Sequence, residues 1–397
     1  MAGLYIHIPF CKSRCIYCGF YSTTRLEQRQ KYVDALCKEM ILRRGYRSEG
    51  VKELRSSDNI EATINLSTCQ LVNLPTKTNT IYLGGGTPSQ LSIAQLEQLF
   101  IYINKVYSIG EDAEVTMECN PDDITDDYAQ AISRLPINRV SMGVQTFDDN
   151  RLRFLHRRHS SENVYKAVER LRQAGINNIS IDLMYGFPNQ TVDEWRLDIE
   201  KAISLNVEHI SAYSLMFEEG TPLFKMLESK KIKEADEEQS LEMFNSLIDT
   251  LTAAGYEHYE ISNFAKPGFR SRHNSSYWQG IPYIGIGAAA HSYDIKTRQW
   301  NVSDIDEYIK SIDKGIIPME YETIDDDTRY NDTITTALRT AEGVDMASLS
   351  TKHRNHCHAS AETYIAQGLL ELKNNRLRIT RKGIFISDMI MGDLMLV

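Results

Sequence analysis

The 397-residue chain contains no run of eighteen apolar residues, so it lacks a segment that could span a bilayer as a helix. It has no surplus of positive charge. Its 54 acidic and 44 basic residues give a net charge of −10, which offers no overall attraction to nucleic acid and allows at most peripheral contact with an anionic membrane. The sequence opens on "LYIHI" without a basic leader or a small-residue cleavage site, and a cytoplasmic location is expected. Seven cysteines are an odd set, with Cys11, Cys15 and Cys18 clustered and Cys37, Cys69, Cys119 and Cys357 scattered. That pattern argues against a secreted disulfide framework and for a reducing compartment. Low-complexity tracts are absent as well, and 42% apolar with 25% charged residues is the balance of a folded body long enough for two domains.

Short β-rich runs alternate with amphipathic segments. The runs are "LYIHI" (4–8), "TIYL" (80–83), "EVTME" (114–118), "RVSMG" (139–143), "NISIDLMY" (178–185) and "HISAYSL" (209–215), and the amphipathic segments include 92–106, 161–174, 191–205 and 237–254. This predicts an α/β fold with parallel strands and crossover helices, a partial or complete TIM-like (β/α) barrel, with chemistry at the C-terminal ends of the strands. A polar stretch near 45–78 breaks the pattern and reads as an insertion. After about residue 296 the alternation stops. A helical segment at 328–341 and "GLLELKNNRLRITRKG", two alternating runs about an Asn-Asn turn, predict a small helical, winged-helix-like domain. The expected domains are therefore 1–296 and 297–397. Residues 360–397 carry five Lys/Arg against four Asp/Glu, so this wing is not read as a nucleic-acid binder.

The densest chemistry lies in "HIPFCKSRCIYCGFYS", residues 7–22, where C-x3-C-x2-C directly follows the first strand. Thiolates bind iron–sulfur clusters, and a cubane of four irons ordinarily takes four protein ligands. Three ligands leave one iron open to bind a small molecule, as an open position does at a catalytic zinc. Zinc is the alternative, and it needs a fourth ligand such as His7 or a distant residue. Downstream, "GGGTPS" (84–89) lets the backbone approach a ligand closely. Glu118 in "ECNP", Gln145 in "GVQTF" and Asp182 in "IDLMYG" stand at successive strand ends, where buried polar groups need a partner and one shared polar ligand would serve all three.

The cysteine spacing, with Tyr17 before the third cysteine, resembles the radical S-adenosylmethionine (SAM) superfamily. The further motifs resemble its HemN/HemW group of oxygen-independent coproporphyrinogen oxidases and relatives, over most of the chain. The resemblance implies a [4Fe–4S] cluster on Cys11, Cys15 and Cys18, an electron donor to reduce it, and SAM on the open iron. It implies SAM-side positions at Tyr5, Phe20, Gly84, Gly85, Gly86, Thr87, Glu118, Gln145, Arg157 and Asp182. In "LHRRHS" Arg157 aligns best, Arg158 is the alternative, and His156 stands where the family commonly has glycine.

Two functions then compete. One is decarboxylation of coproporphyrinogen III, or another porphyrin-modifying radical reaction; the other is a haem chaperone that binds haem and hands it to an acceptor protein. Oxidases of this group continue the cluster motif with a further cysteine where this chain has Phe20, and "RHNSSYW" (272–278) fits the H-N-x-x-Y-W element of the chaperone branch. That element implies haem binding by His273, with Tyr277 and Trp278 offering flat apolar surface. His291 in "YIGIGAAAHS" is a secondary candidate. In "KHRNHCHAS", His353 and Cys357 would share a helix face, with His356 and His358 nearby, but no family motif covers that stretch. The expectation is the chaperone, with its status as an enzyme left open.

Overall fold

The computed structural model describes residues 2–45 and 77–396; residues 46–76, which hold most of the expected polar insertion, lie outside the described residues. In chain order the strands are β1 (Ala2–Ile8), β2 (Thr78–Gly85), β3 (Ile109–Cys119), β4 (Arg139–Gln145), β5 (Asn178–Tyr185), β6 (His209–Ser214), β7 (Glu257–Glu260), β8 (Asn263–Ala265), β9 (Tyr283–Ile286), β10 (His291–Tyr293), β11 (Thr297–Asn301), β12 (Met319–Thr323), β13 (Val344–Asp345), β14 (Leu370–Lys373) and β15 (Arg376–Ile379). The helices are α1 (Arg29–Gly45), α2 (Ile93–Val106), α3 (Asp126–Ile132), α4 (Asp149–Phe154), α5 (Ser161–Gln173), α6 (Val192–Ser204), α7 (Pro222–Glu228), α8 (Glu237–Ala253), α9 (Arg272–Trp278), α10 (Ile305–Asp313), α11 (Asp326–Ala337), α12 (Thr351–Ala366) and α13 (Ser387–Leu394). Among the described residues no helix is long and apolar enough to cross a membrane.

Two compact units divide the chain. One comprises Met1–Gly143, His156–Asn177 and Ile281–Thr323; the other comprises Val144–Leu155, Asn178–Gly280 and Ile324–Val397. In the first unit the strand order is β12-β11-β10-β9-β1-β2-β3-β4, parallel from β9 through β4 and antiparallel from β9 out to β12. The alternation of β1 sets the layering: Leu4, Ile6 and Ile8 have no exposed surface, while Tyr5 and His7 take the opposite face. The apolar stripes of α1 (Val33, Leu36, Met40) and α2 (Leu96, Leu99, Phe100, Ile103) are buried too. Each such side chain contributes about 1.5–3 kcal/mol by leaving water. Helix α2 begins where Ser92 and Gln95 cap one another reciprocally, which fixes where the β2–α2 loop ends.

In the second unit β5 and β6 run parallel, and β8 and β7 continue antiparallel. The segment from Ile324 onward packs α11, α12 and α13 with the β13-β15-β14 sheet around Tyr330, Ile334, Cys357, Leu377 and Ile390. Its hairpin turns at Asn374 and Asn375, both left-handed (φ 50° and 62°), as a two-residue type I′ turn requires. This is the small helical, winged-helix-like domain anticipated from the sequence.

All six expected strands are present. The sheet also continues past residue 296, through β11, α10 and β12. On β11 the buried face is made of Thr297, Gln299 and Asn301, while Arg298 and Trp300 are half-exposed. A period of two whose buried side is polar carries no hydrophobic signal.

Candidate functional site

The cysteine loop leaves β1 through Pro9 and is closed at its neck by main-chain bonds. Cys11 N–H donates to Thr23 O (2.9 Å) and Thr23 N–H to Pro9 O (2.7 Å). Cys11, Cys15 and Cys18 are free thiols, all partly exposed. The Thr87 hydroxyl lies 3.4 Å from Cys11 Sγ. Burial pushes the Cys11 and Cys18 thiols up, while Thr87 and the Phe20 main-chain N–H, respectively, oppose this by bonding the thiolate form. The Phe20 ring is 72% exposed, and its main-chain N–H faces Cys18.

Both ring nitrogens of His7 are engaged. Its Nε2 meets Tyr21 O (3.3 Å), an acceptor, so Nε2 carries the proton and Nδ1 accepts from Tyr5 Oη (3.0 Å). Its pKa is pushed down to about 4, by burial foremost, with Tyr21 O opposing and His291 adding to the fall. Among the described residues no three His, Cys, Asp or Glu side chains converge on a single-ion site. A cubane takes one thiolate on each of three irons, and the three-thiol loop offers that donor set.

The glycine turn after β2 is shaped by close approach. A Cβ at Gly84 would lie 2.6 Å from the Tyr82 ring, at Gly85 2.5 Å from the His7 ring, and at Gly86 2.7 Å from the Pro9 carbonyl carbon. Gly85 also has φ +111°, which disfavours any L side chain. Glu118 holds this turn: its carboxylate accepts from Tyr82 Oη (2.8 Å) and Gly85 N–H (3.1 Å). Tyr5 stacks on Tyr82 at 6.2 Å, and its hydroxyl pKa is raised, first by burial and then by the Glu118 carboxylate and Tyr283. Tyr5, His7, Gly84–Gly86, Thr87, Glu118 and the cysteine loop thus gather at the C-terminal ends of β1, β2 and β3.

The two arginines separate cleanly. Arg157 reaches Cys15 Sγ through Nη1 (3.6 Å) and donates through Nη2 to Asn120 Oδ1 and Gly143 O (2.6 Å each), while its Nε is buried without a partner among the described residues. A buried guanidinium N–H without an acceptor is costly, and beside the cysteine loop it suits an anionic ligand such as an amino-acid carboxylate. Arg158 instead pairs with Asp122 and Asp123 (3.0 Å each), and Asp123 also accepts from Ser89 and Gln90. It clasps two loops together. His156 adopts φ 59°, which accounts for a glycine preference at that position.

In the second unit Gln145 ends β4 with φ 70°, an uncommon backbone for a non-glycine residue and a feature that clusters at functional sites. The turn after it is locked by buried Asp198, which accepts from Thr146 Oγ1 (2.6 Å) and Phe147 N–H (2.9 Å). Asp182 is half-buried on β5. The HNSSYW element forms helix α9, whose N-cap Ser271 accepts from Asn274 N–H (3.3 Å). His273 has no exposed surface, and its Nε2 bonds Tyr277 Oη at 2.8 Å, the i,i+4 geometry bringing the two together. Trp278 is half-buried with the Arg339 guanidinium 5.2 Å from its ring. Behind the helix, Tyr259 Oη takes Ser271 N–H (3.3 Å) and meets His209 Nε2 (2.7 Å), whose Nδ1 meets Ser180 Oγ (2.8 Å).

Of the remaining candidates, His353 bonds Asp327 and Ser350 and stacks on Tyr330, and Cys357 is buried against Met346; these two are core and capping groups of the C-terminal domain. Sequence reasoning missed Tyr82, Asn120 and Asp198, which hold site residues at one remove. Only the Glu39 and Arg43 pair on α1, at i,i+4, left a readable signal of such support. Glu39 is fully buried and accepts from Arg43, Asn301, Gly287 and Tyr308.

A parallel α/β sheet whose first strand feeds a three-thiol loop, and whose second ends in a glycine turn held by a carboxylate, defines a radical SAM protein. The Radical SAM superfamily model matches residues 5–202 and that of the HemN C-terminal domain matches 324–386. The heme chaperone HemW of Lactococcus lactis subsp. lactis is 33% identical, over 97% of this chain and 93% of its own. That of Bacillus subtilis is 32% identical, over 99% and 98%. The chain belongs to this HemW family of radical SAM proteins. Among solved structures the Escherichia coli coproporphyrinogen III oxidase HemN, a radical SAM enzyme, has a TM-score of 0.79 at 21% identity, covering 99% of this chain and 89% of that one, a likeness of fold. Family membership implies a [4Fe–4S] cluster and SAM.

Proposed function

We propose that this chain is a haem chaperone: it binds haem and passes it to a haem-requiring acceptor protein, and it does so in the cytoplasm with a SAM-ligated [4Fe–4S] cluster and an electron donor for it. The observation that carries the reading is the cysteine loop itself, which supplies three thiols and then the exposed ring of Phe20 where an oxidase of this group has a further cysteine. The near full-length likeness to proteins named heme chaperone HemW supports it.

When bound, the cluster and SAM would offer the chemistry of this superfamily, reductive cleavage of the sulfonium. The chain's own part is to bind and orient. Cys11, Cys15 and Cys18 would each hold one iron, the Gly84–Gly86 backbone would admit SAM closely, and Arg157 would receive its carboxylate. Tyr5 and Glu118 would line the same strand ends, and Gln145 and Asp182 would serve its ribose. The HNSSYW helix would bind haem, Tyr277 and Trp278 offering ring surface. Ligation by His273 would exchange the Tyr277 hydroxyl for iron.

The test is anaerobic reconstitution of the full chain with SAM and a reductant. Haem binding, haem transfer to a haem-free acceptor and coproporphyrinogen III decarboxylation are then measured together, with and without His273→Ala. Stoichiometric haem binding and transfer without decarboxylation is expected. Turnover of coproporphyrinogen III, or no haem binding by the unaltered chain, would overturn the reading.

A further inference from the structure

The face of the first unit that carries Tyr5 and His7 does not end at β1. Cross-strand partners share a face, and the register pairs Tyr283 with Gly3 and Tyr293, and His291 with Trp300. Rings therefore follow one another across five strands: Tyr82 beside Tyr5 (6.2 Å), Tyr283 beside Tyr293 (6.3 Å), and His291 beside Trp300 (6.1 Å, planes 30° apart). The opposite face of the same strands is closed core, with Ile284, Ile286, Ser292 and Gln299 buried. The ring-bearing side is open, with Tyr283, Tyr293 and Trp300 half-exposed and His291 exposed. A sheet face that meets water normally alternates to polar side chains, and a run of half-exposed rings marks a binding surface.

His291 differs from His7 on this face and from His209, His273 and His353 in the second unit. His7, His209 and His353 have both ring nitrogens engaged, and His273 bonds Tyr277. Among the described residues neither nitrogen of His291 has a hydrogen-bond partner, and its ring is steadied only by Trp300. Burial and the Arg298 cation hold its pKa below the usual imidazole value, Glu322 opposing, so the ring is neutral and has a lone pair to give. Arg298 is already paired with Glu322 (2.8 Å), so this surface addresses a flat ring system and its metal more than carboxylate side chains.

We propose that the β9–β11 face is a haem-contact surface on which His291 ligates the iron and Trp300, Tyr293 and Tyr283 receive the macrocycle. The proposal rests on the haem-binding reading above and names a second imidazole for it, distinct from His273. Neutral imidazole is a standard haem ligand, and an aromatic wall suits a planar apolar macrocycle.

The experiment titrates haem, and separately iron-free protoporphyrin, into the reconstituted full chain and into His291→Ala, His291→Gly and Trp300→Leu variants. Cluster absorbance and SAM binding are followed to show that each variant is folded. His291→Ala should weaken haem binding about tenfold or more and remove the histidine-ligated low-spin spectrum, while leaving iron-free porphyrin affinity unchanged. Imidazole added to His291→Gly should restore that spectrum. Trp300→Leu should weaken both porphyrins. A haem affinity and spectrum unaltered in His291→Ala would overturn this proposal while leaving the chaperone reading standing; no haem binding by the unaltered chain would overturn both.

Discussion

Replacing Gly85 by alanine sets a methyl group 2.5 Å from the His7 ring and forces φ +111° on an L residue. The backbone part costs about 1–2 kcal/mol. Crowding a packed ring costs about 1–3 kcal/mol more. Gly85→Ala should therefore lose roughly 2–5 kcal/mol of stability. Gly255 supplies an internal control, because it also has positive φ (+88°) but nothing lies within 4 Å of an added Cβ. Gly255→Ala should lose only the backbone part, about 1–2 kcal/mol. Urea unfolding of both variants measures the gap. A double variant, Gly85→Ala with His7→Ala, removes the ring that is struck and should recover the crowding part as a favourable coupling. SAM affinity, read by equilibrium titration, should fall in Gly85→Ala because the same N–H is held by Glu118. Equal losses in the two glycine variants, or strictly additive losses in the double variant, would refute the account of why glycine stands at 85.

Other outcomes follow from the same geometry. His7 titrates at about 4 when folded against an ordinary 6.5, so on acidification the unfolded chain takes the proton first; stability should be undiminished above pH 6.5 and fall toward pH 4 by roughly 3 kcal/mol, a slope that His7→Gln should flatten in pH-dependent unfolding. Arg157→Gln should weaken SAM binding about tenfold to a hundredfold, the worth of charge-assisted bonds, and should also lower the urea midpoint, by about 1–3 kcal/mol of stability, because the Nη2 bonds to Asn120 and Gly143 go with the unpartnered Nε. Phe20→Ala should leave cluster content unchanged and stability within about 0.5 kcal/mol, whereas Phe20→Pro, which deletes the N–H facing Cys18, should shift the cluster's reduction potential in a redox titration.

The sequence made legible whatever depends on local spacing. The three cysteines, the glycine triplet and the strand-end Glu118 lie next to strands with clear apolar runs, so both the residues and their place in the fold could be read. Arg157 was recognisable by likeness, but its distinction from Arg158 depends on Asn120, Gly143 and the two aspartates, which come together only in three dimensions. His273 is expected from the sequence to bind haem, and the structure shows it fully buried with Nε2 on Tyr277, a pairing that the i,i+4 spacing permits without announcing. Strands β11 and β12 were hidden because their buried side is polar or slight, and with them went the aromatic surface around His291. Support that runs through single long-range contacts, such as Asp198 to Thr146, leaves no periodic trace.

The two main-chain bonds at Thr23 close residues 11–22 into a ring through the backbone, so that closure spans no iron–sulfur bond. The entropy of bringing those ends together is met by the backbone and by the packing of Phe10 and Tyr32 behind it, and the cluster is not needed for closure. A zinc finger without its metal unravels. In this chain the neck of the loop is expected to stay closed when the cluster is removed, which amide hydrogen exchange at Cys11 and Thr23 in the cluster-free protein would check. The frame that receives the cluster would then be set by the fold, and the cluster would be a guest of it.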